Sequence, residues 1–439
     1  MTRPMCAKLG RRLLNHFRAI STGQATNSCS RSTALPTTHH RQHVNCLTTS
    51  GSNNGICRIS FCSRSRSSIR QVQVASFSSS ASMSASVSEP PACLSEPINV
   101  PSKLLMGPGP SNAHPRVLAA GALPLLGHLH TEFTKIMDDT KAGIQYVFQT
   151  QNEWTFAVSG TGHAAMEAAV VNLLEADDVA LVCQNGVWGV RLADMVERNG
   201  SIAKKITKPW GEVFSLEEIE EGLKEHKPKI VFVTYGESSG GTAQPLEGLG
   251  DLCHKYDALL LVDSVAIVGG APMFMDAWNI DVLYAGAQKV LSAPPAASPI
   301  SFNQRARDAI ASRKTRVRSF YFDAAELANY WGCDEGPRRY HHTGMISSVY
   351  ALREGLAHFA ETSVRNPCVT TIKVPEGVDW KKVIEYAMKN HKLEIAGGLG
   401  ELAGKVWRIG IMGYNCTPEN VNRTLAVLQE ALKEHWKKN

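Results

Sequence analysis

Short, continuous apolar runs separated by amphipathic stretches dominate the middle of this chain. The runs at 154–158, 179–183, 229–234, 259–262, 282–285 and 299–302 read as strands. Most lack the alternation of a half-exposed strand, and continuous hydrophobicity is what a strand covered on both faces requires. Between them, 162–174 and a stretch near 191–199 have helical composition. Ser215-Leu216-Glu217-Glu218 has the form of a capping box opening a helix to about Leu223. The pattern predicts an α/β domain on a large, mostly parallel sheet, extended by the last two runs with an antiparallel strand at one edge.

After Tyr340 the rhythm changes. Residues 347–359, 381–390 and 421–436 read as helices, and 368–374 and 406–411 as strands, which predicts a smaller α+β unit. The organisation expected is a leader over 1–95, a large domain over 96–345 and a small domain over 346–439.

Composition changes this picture only at the N-terminus. The 439 residues are 43% hydrophobic and 20% charged, ordinary for a globular chain, with no apolar run near the ~20 residues that span a bilayer. The formal charge of +6 is uneven: residues 1–90 hold 11 Lys+Arg against one acid, Glu89, leaving 35 basic and 39 acidic residues beyond. The basic excess belongs to the leader, so neither nucleic acid nor membrane is expected as a partner of the folded part. The leader is rich in Arg, Ser and Thr, and 11–18 suits a short basic amphipathic helix, the traits of a mitochondrial transit peptide. A processing zone is expected over 69–82, and Met83 could start a leaderless product. Six of eleven cysteines, at 6, 29, 46, 57, 62 and 93, lie in the leader region, and none forms a C-x-x-C pair. Disulfides and metal binding are therefore not expected, and the adjacent His341-His342 lacks metal-ligand spacing.

The candidate chemistry sits at strand ends. The run 259–262 ends in Asp263, and Tyr284-Ala285-Gly286-Ala287-Gln288 ends in Lys289. An acid and an amine at neighbouring strand ends suit pyridoxal phosphate, with Lys289 as the Schiff-base lysine and Asp263 holding the pyridinium protonated. The plainer alternative is a salt bridge at the rim of the sheet. Ser159-Gly160-Thr161-Gly162-His163 stands at a strand-to-helix junction, where glycines and free N–H groups can cradle a phosphate, although many α/β turns need glycine for geometry alone. Trp188 follows the next strand and could stack on a planar ring, or pack under a loop. Gly236-Glu237-Ser238-Ser239-Gly240 follows another, offering hydroxyls to a ring oxygen or simply forming a turn.

In combination these residues resemble the class V aminotransferases from about residue 98 to the C-terminus. The matching stretches include Leu104-Leu105-Met106-Gly107-Pro108-Gly109-Pro110-Ser111, Val262-Asp263-Ser264-Val265, Gln288-Lys289, Trp331-Gly332-Cys333-Asp334, Tyr340-His341-His342-Thr343 and Arg408-Ile409-Gly410. The resemblance implies a fold-type I pyridoxal-phosphate transferase that moves the amino group of alanine or serine to glyoxylate. It implies that Lys289 shuttles the proton, Asp263 pairs with the ring nitrogen, and Thr161, Gly162, His163 and Gln288 take the phosphate. Trp188 and Val265 would sandwich the ring, and Ser238 would bond near its hydroxyl. Tyr340 and Thr343 would reach the phosphate of the neighbouring subunit, making the homodimer the working unit. Arg408 would clamp the substrate carboxylate, and the loop containing Gly107 would favour small side chains. Another amino donor within the class, such as a kynurenine-type donor, is the nearest alternative. A non-catalytic subunit that dimerises is the other, while cysteine desulfurase chemistry lacks a cysteine on an active-site loop.

Two departures from the family pattern stand out. Relatives carry a further helix and strand where this chain passes from Glu361 through Thr362-Ser363-Val364-Arg365-Asn366 to Cys368, so the small domain is expected to be shortened and less stable. The chain ends in Lys437-Lys438-Asn439 and lacks a terminal leucine of the Ser-Lys-Leu type, favouring mitochondria over peroxisomes.

Overall fold

Strands with no polar face need cover on both sides, and the computed structural model supplies it with helices packed on a seven-stranded sheet. The structure describes residues 88–361 and 368–436. The expectations for the leader up to residue 87, for the junction 362–367 and for the C-terminal tripeptide lie outside the described residues.

In chain order the strands are β1 (Leu104–Leu105), β2 (Trp154–Ser159), β3 (Val179–Gln184), β4 (Ile202–Thr207), β5 (Ile230–Thr234), β6 (Gly236–Glu237), β7 (Thr242–Ala243), β8 (Leu259–Asp263), β9 (Val282–Tyr284), β10 (Ala297–Phe302), β11 (Val369–Lys373), β12 (Leu393–Glu394), β13 (Ala396–Gly397) and β14 (Val406–Gly410). The large sheet has the order β2-β10-β9-β8-β5-β3-β4. Only β10 runs against its neighbours, β2 and β9. It lies one place in from the edge, not at the edge as the sequence pattern suggested. The reason is that β2, far upstream, pairs along its outer side, a long-range contact that no local pattern records.

All other strands run parallel, so the ends of β2, β3, β5, β8 and β9 emerge at one edge. The register there is tight: Thr234 pairs with Asp263, and Asp263 with Tyr284. The helix Thr131–Phe148 turns Phe133, Met137 and Ile144 into the core over this sheet. Each fully buried side chain of this kind contributes about 1.5–3 kcal/mol. The helix Leu216–His226 opens with the expected capping box, Ser215 and Glu218 each bonding the other's backbone N–H.

A second core, built on Met106, Trp407, Ile409 and Leu428, fills the space between the sheet β11-β14-β13 and the helices Trp380–His391 and Pro418–His435. The helix Ile346–Glu361 instead buries Val349, Leu352 and Leu356 in the larger core. The arm before residue 112 joins the two cores. Its β1 pairs with β12, and Asn415 bonds the Leu105 carbonyl while Ser111 bonds the backbone of Gln288 and Lys289. Among the described residues, no helix is long and apolar enough to cross a membrane.

Candidate active site

The parallel strand ends converge on one pocket. Its wall includes Gly162, His163, Trp188, Ser238, Asp263, Val265, Gln288 and Lys289, eight of the residues singled out from sequence. Gly160 at the head of the first turn has φ 147°, a conformation open in practice only to glycine. This lets the chain turn from β2 straight into the helix Gly162–Leu173. Thr161 is the N-cap of that helix and makes no side-chain capping bond. The N–H groups of a first helical turn have no partner within the helix, so the turn is a ready anion site. A Cβ on Gly162 would come within 2.9 Å of a Val265 methyl, so glycine keeps the turn close to the pocket.

Trp188 lies in the first turn of the helix Val187–Arg198. Its indole N–H donates to Ser238 Oγ at 3.0 Å, and the His163 ring meets it edge-on at 5.5 Å. One flat face is thereby held over the pocket. Asp263 is buried with both oxygens engaged: Oδ1 accepts from Val265 N–H at 2.8 Å and Oδ2 from the Tyr284 hydroxyl at 2.9 Å. Burial pushes its carboxyl up to about 7 against these two donors. Lys289 is also buried, and its Nζ donates to the Pro108 carbonyl. Burial pulls the amine down to about 8, with Asp263 opposing and Arg408 assisting. Gly109, at φ 112°, leaves room for the amine where any Cβ would strike it.

The structure does not bring every predicted residue to this wall. Arg408 is only 6% exposed and lies beside the pocket, with Nε donating to the Gly397 carbonyl at 2.8 Å and Nη1 to the Ser238 carbonyl at 3.0 Å. Gly107 lies at the seam between β12 and the end of β14, against Glu394 and Gly410. Tyr340 is 55% exposed, packs on His128 and approaches Thr343 at 3.4 Å, and neither lines the pocket. Gly236, from the motif after β5, lines the wall too, and Met166 and Ala266 complete it without having been anticipated. Glu237 and Tyr284 also went unassigned, although each sits beside a residue or motif already marked.

The donor set fits pyridoxal phosphate. An amine and an acid face one pocket without bonding each other, an indole supplies a flat wall, and a helix start supplies anion-binding N–H groups. The Gln288 amide oxygen is buried with no partner among the described residues.

Comparison with known proteins agrees. The family model for aminotransferase class-V matches residues 118–367. The alanine–glyoxylate aminotransferase of Callithrix jacchus is 49% identical over 381 residues, covering 80% of this chain and 92% of that protein. The (S)-ureidoglycine–glyoxylate transaminase of Bacillus subtilis (strain 168) is 35% identical over 384 residues, covering 76% and 92%. The crystal structure of alanine–glyoxylate aminotransferase from Nostoc sp. superposes with a TM-score of 0.75 at 44% identity, covering 77% of this chain and 97% of that one. In the Callithrix alignment, 80% of 439 residues is about 351, so roughly 30 of the 381 aligned positions have no counterpart here. With the matched family model, the high identity over most of both chains and the converging strand ends, the chain belongs to the class V aminotransferases, enzymes that work with pyridoxal phosphate.

Proposed function

We propose that this enzyme transfers the amino group of alanine, or of serine, to glyoxylate, giving glycine and pyruvate or hydroxypyruvate. The observation that carries this reading is the buried Lys289 amine and Asp263 carboxyl facing one pocket, with the Gly107 seam and Arg408 beside it. The relatives named for alanine–glyoxylate transamination support the choice of substrates.

Pyridoxal phosphate, when bound, supplies an electron sink for the pair left on the substrate carbon and carries the amino group between two half-reactions. The protein does the rest. An amine with its pKa near 8 is neutral often enough near neutral pH for Lys289 Nζ to take the proton from the substrate Cα and return it elsewhere. Asp263, fixed by Val265 N–H and the Tyr284 hydroxyl, holds a positive ring nitrogen in place. Arg408 would meet the substrate carboxylate by exchanging a backbone carbonyl for a better acceptor. The exposed Tyr340, Phe320 and Tyr321 support a homodimer in which Tyr340 and Thr343 complete the partner's site. The acid-poor leader supports a mitochondrial address.

A second reading is favoured by the roughly 30 alignment positions without a counterpart. Here the chain binds cofactor and dimerises but clamps donors poorly. Absorbance separates the two. Purified protein should show a near-visible band of bound cofactor that bleaches on adding alanine, and a donor and acceptor panel should give glycine from glyoxylate. Lys289→Ala should lower turnover by about 10²–10⁴-fold through lost proton transfer alone. A band that persists with alanine, serine and every other donor would leave only the binding role.

A further inference from the structure

The hairpin after β5 contains an acid that the roles above do not use. Glu237 is 1% exposed, and a carboxylate taken out of water costs several kcal/mol unless partners replace its hydration. Its partners are specific. Oε1 accepts from Ser239 N–H at 2.8 Å and from the Ser239 hydroxyl at 2.5 Å, while Oε2 accepts from Trp188 N–H at 3.3 Å. Ser239 Oγ in turn accepts from Val187 N–H at 3.1 Å. The helix Val187–Arg198 has Gly186 as its N-cap, which offers no side chain, so the hairpin caps it from outside. Glycine is required there because a Cβ would run into the Glu237 carboxylate.

The capped residue is the one whose ring faces the pocket. Glu237 holds the backbone of Trp188, and its neighbour Ser238 holds the indole N–H. The Ser238 carbonyl accepts from Arg408; burial raises the Glu237 carboxyl above its ordinary range, and the bonds from Ser239 and Trp188 together with the Arg408 charge oppose that rise. The stacking ring, the hydroxyl beside it and the guanidinium thus lean on one buried acid. We propose that Glu237 is a positioning residue that couples the cofactor-stacking face of Trp188 to the seating of Arg408. This rests on the cofactor and donor reading given above.

The test is Glu237→Gln in the full-length enzyme, which keeps shape and removes charge. The expected result is cofactor affinity weakened about tenfold, the scale of one charged hydrogen bond. The visible circular dichroism of bound cofactor should be reduced or altered, and KM for alanine should rise by a similar factor with a smaller change in kcat. A variant that melts lower but keeps wild-type affinity, dichroism and KM would make Glu237 a helix cap only and overturn the proposal. If Glu237→Gln does not fold, Ser239→Ala retains the charge and loosens the tether. It should change the dichroism while leaving KM for alanine near wild type, and unchanged dichroism would overturn the proposal. Absence of any cofactor band in wild-type protein would sink the underlying reading instead.

Discussion

The two regions that build the pocket differ in how firmly they hold what they contribute. Asp263 and Tyr284 end adjacent, fully buried strands of a seven-stranded sheet, in register with each other. Arg408 lies on β14, buried in the middle of a three-stranded sheet, but its neighbour β11 is an edge strand that is only half-buried. Two buried hydroxyls at the seam, of Thr242 and Thr371, have no partner among the described residues. Arg408 also ties its own sheet to the hairpin that follows β5 by donating to the Ser238 carbonyl. Asp263 is therefore set by backbone that the core over-determines. Arg408, the proposed carboxylate clamp, depends on a thinner sheet and shares its donors with domain docking.

The sharpest test of the firm side is Asp263→Asn. Removing the charge should lower kcat/KM by about 10²–10³-fold, the scale of losing one partner of a buried pair. The fold should survive, because an amide oxygen can still accept from Val265 N–H. Cofactor-free protein should show the opposite sign in stability. The folded carboxyl titrates near 7, above its ordinary value of 3.8, so its contribution is present at low pH and is lost as pH rises through 7. Cofactor-free Asp263→Asn should thus melt higher than wild type at pH 8, with the gap closing toward pH 4. Equal melting at both pH values would show that the site hydrates freely and that the strand ends do not hold Asp263 rigidly.

The same contrast governs what was legible in the sequence. Asp263 and Lys289 could be found because charge appears abruptly at the end of an apolar run, and a strand covered on both faces tolerates that only at its end. The strand β4 was missed because it is an edge strand whose Lys204 and Lys205 are exposed, so its sequence carries no apolar run. The two-residue strands β12 and β13 are too short for any periodicity. Glu237 was passed over because its meaning lies in Trp188, 49 positions upstream. The use of Arg408 as a domain tie was invisible for the same reason: one of its acceptors, Ser238, lies 170 positions upstream in a turn.

The thin side can be tested by reinsertion. Placing a relative's roughly 30 residues between Glu361 and Cys368 is expected to cover the edge of β11 and stabilise the chain by several kcal/mol. A change of that size raises the melting temperature by about 5–10 °C in a protein of this length. KM for alanine should fall more than kcat rises, because the clamp is affected and the proton-transfer groups are not. Identical melting and turnover in the two forms would mean that β11 has no need of the missing cover, and the contrast between the regions would fail.

The smallest effect is expected from a relay behind the phosphate turn, where the large sheet has other supports. His341 Nε2 lies 2.9 Å from the Phe320 carbonyl, which can only accept, so that nitrogen carries the proton and Nδ1 is bare. His342 Nδ1, 2.7 Å away, must then donate to it, leaving His342 Nε2 to accept the Ser159 hydroxyl at 2.5 Å. In this arrangement a further proton on His342 falls on Nε2 and displaces the Ser159 hydroxyl hydrogen from it. Burial, and then His341, pull His342 down to about 4. Because the folded value lies below the ordinary 6.5, the stabilisation is complete above about 6.5 and is lost as pH falls toward 4. His342→Phe should cost about 1–3 kcal/mol at pH 7.5, the worth of two hydrogen bonds, and much less near pH 4.5. Urea midpoints at the two pH values check this. Curves that stay parallel would assign the loss to packing alone, whereas converging curves show that the relay, and not the ring's volume, secures Ser159 at the mouth of the phosphate turn.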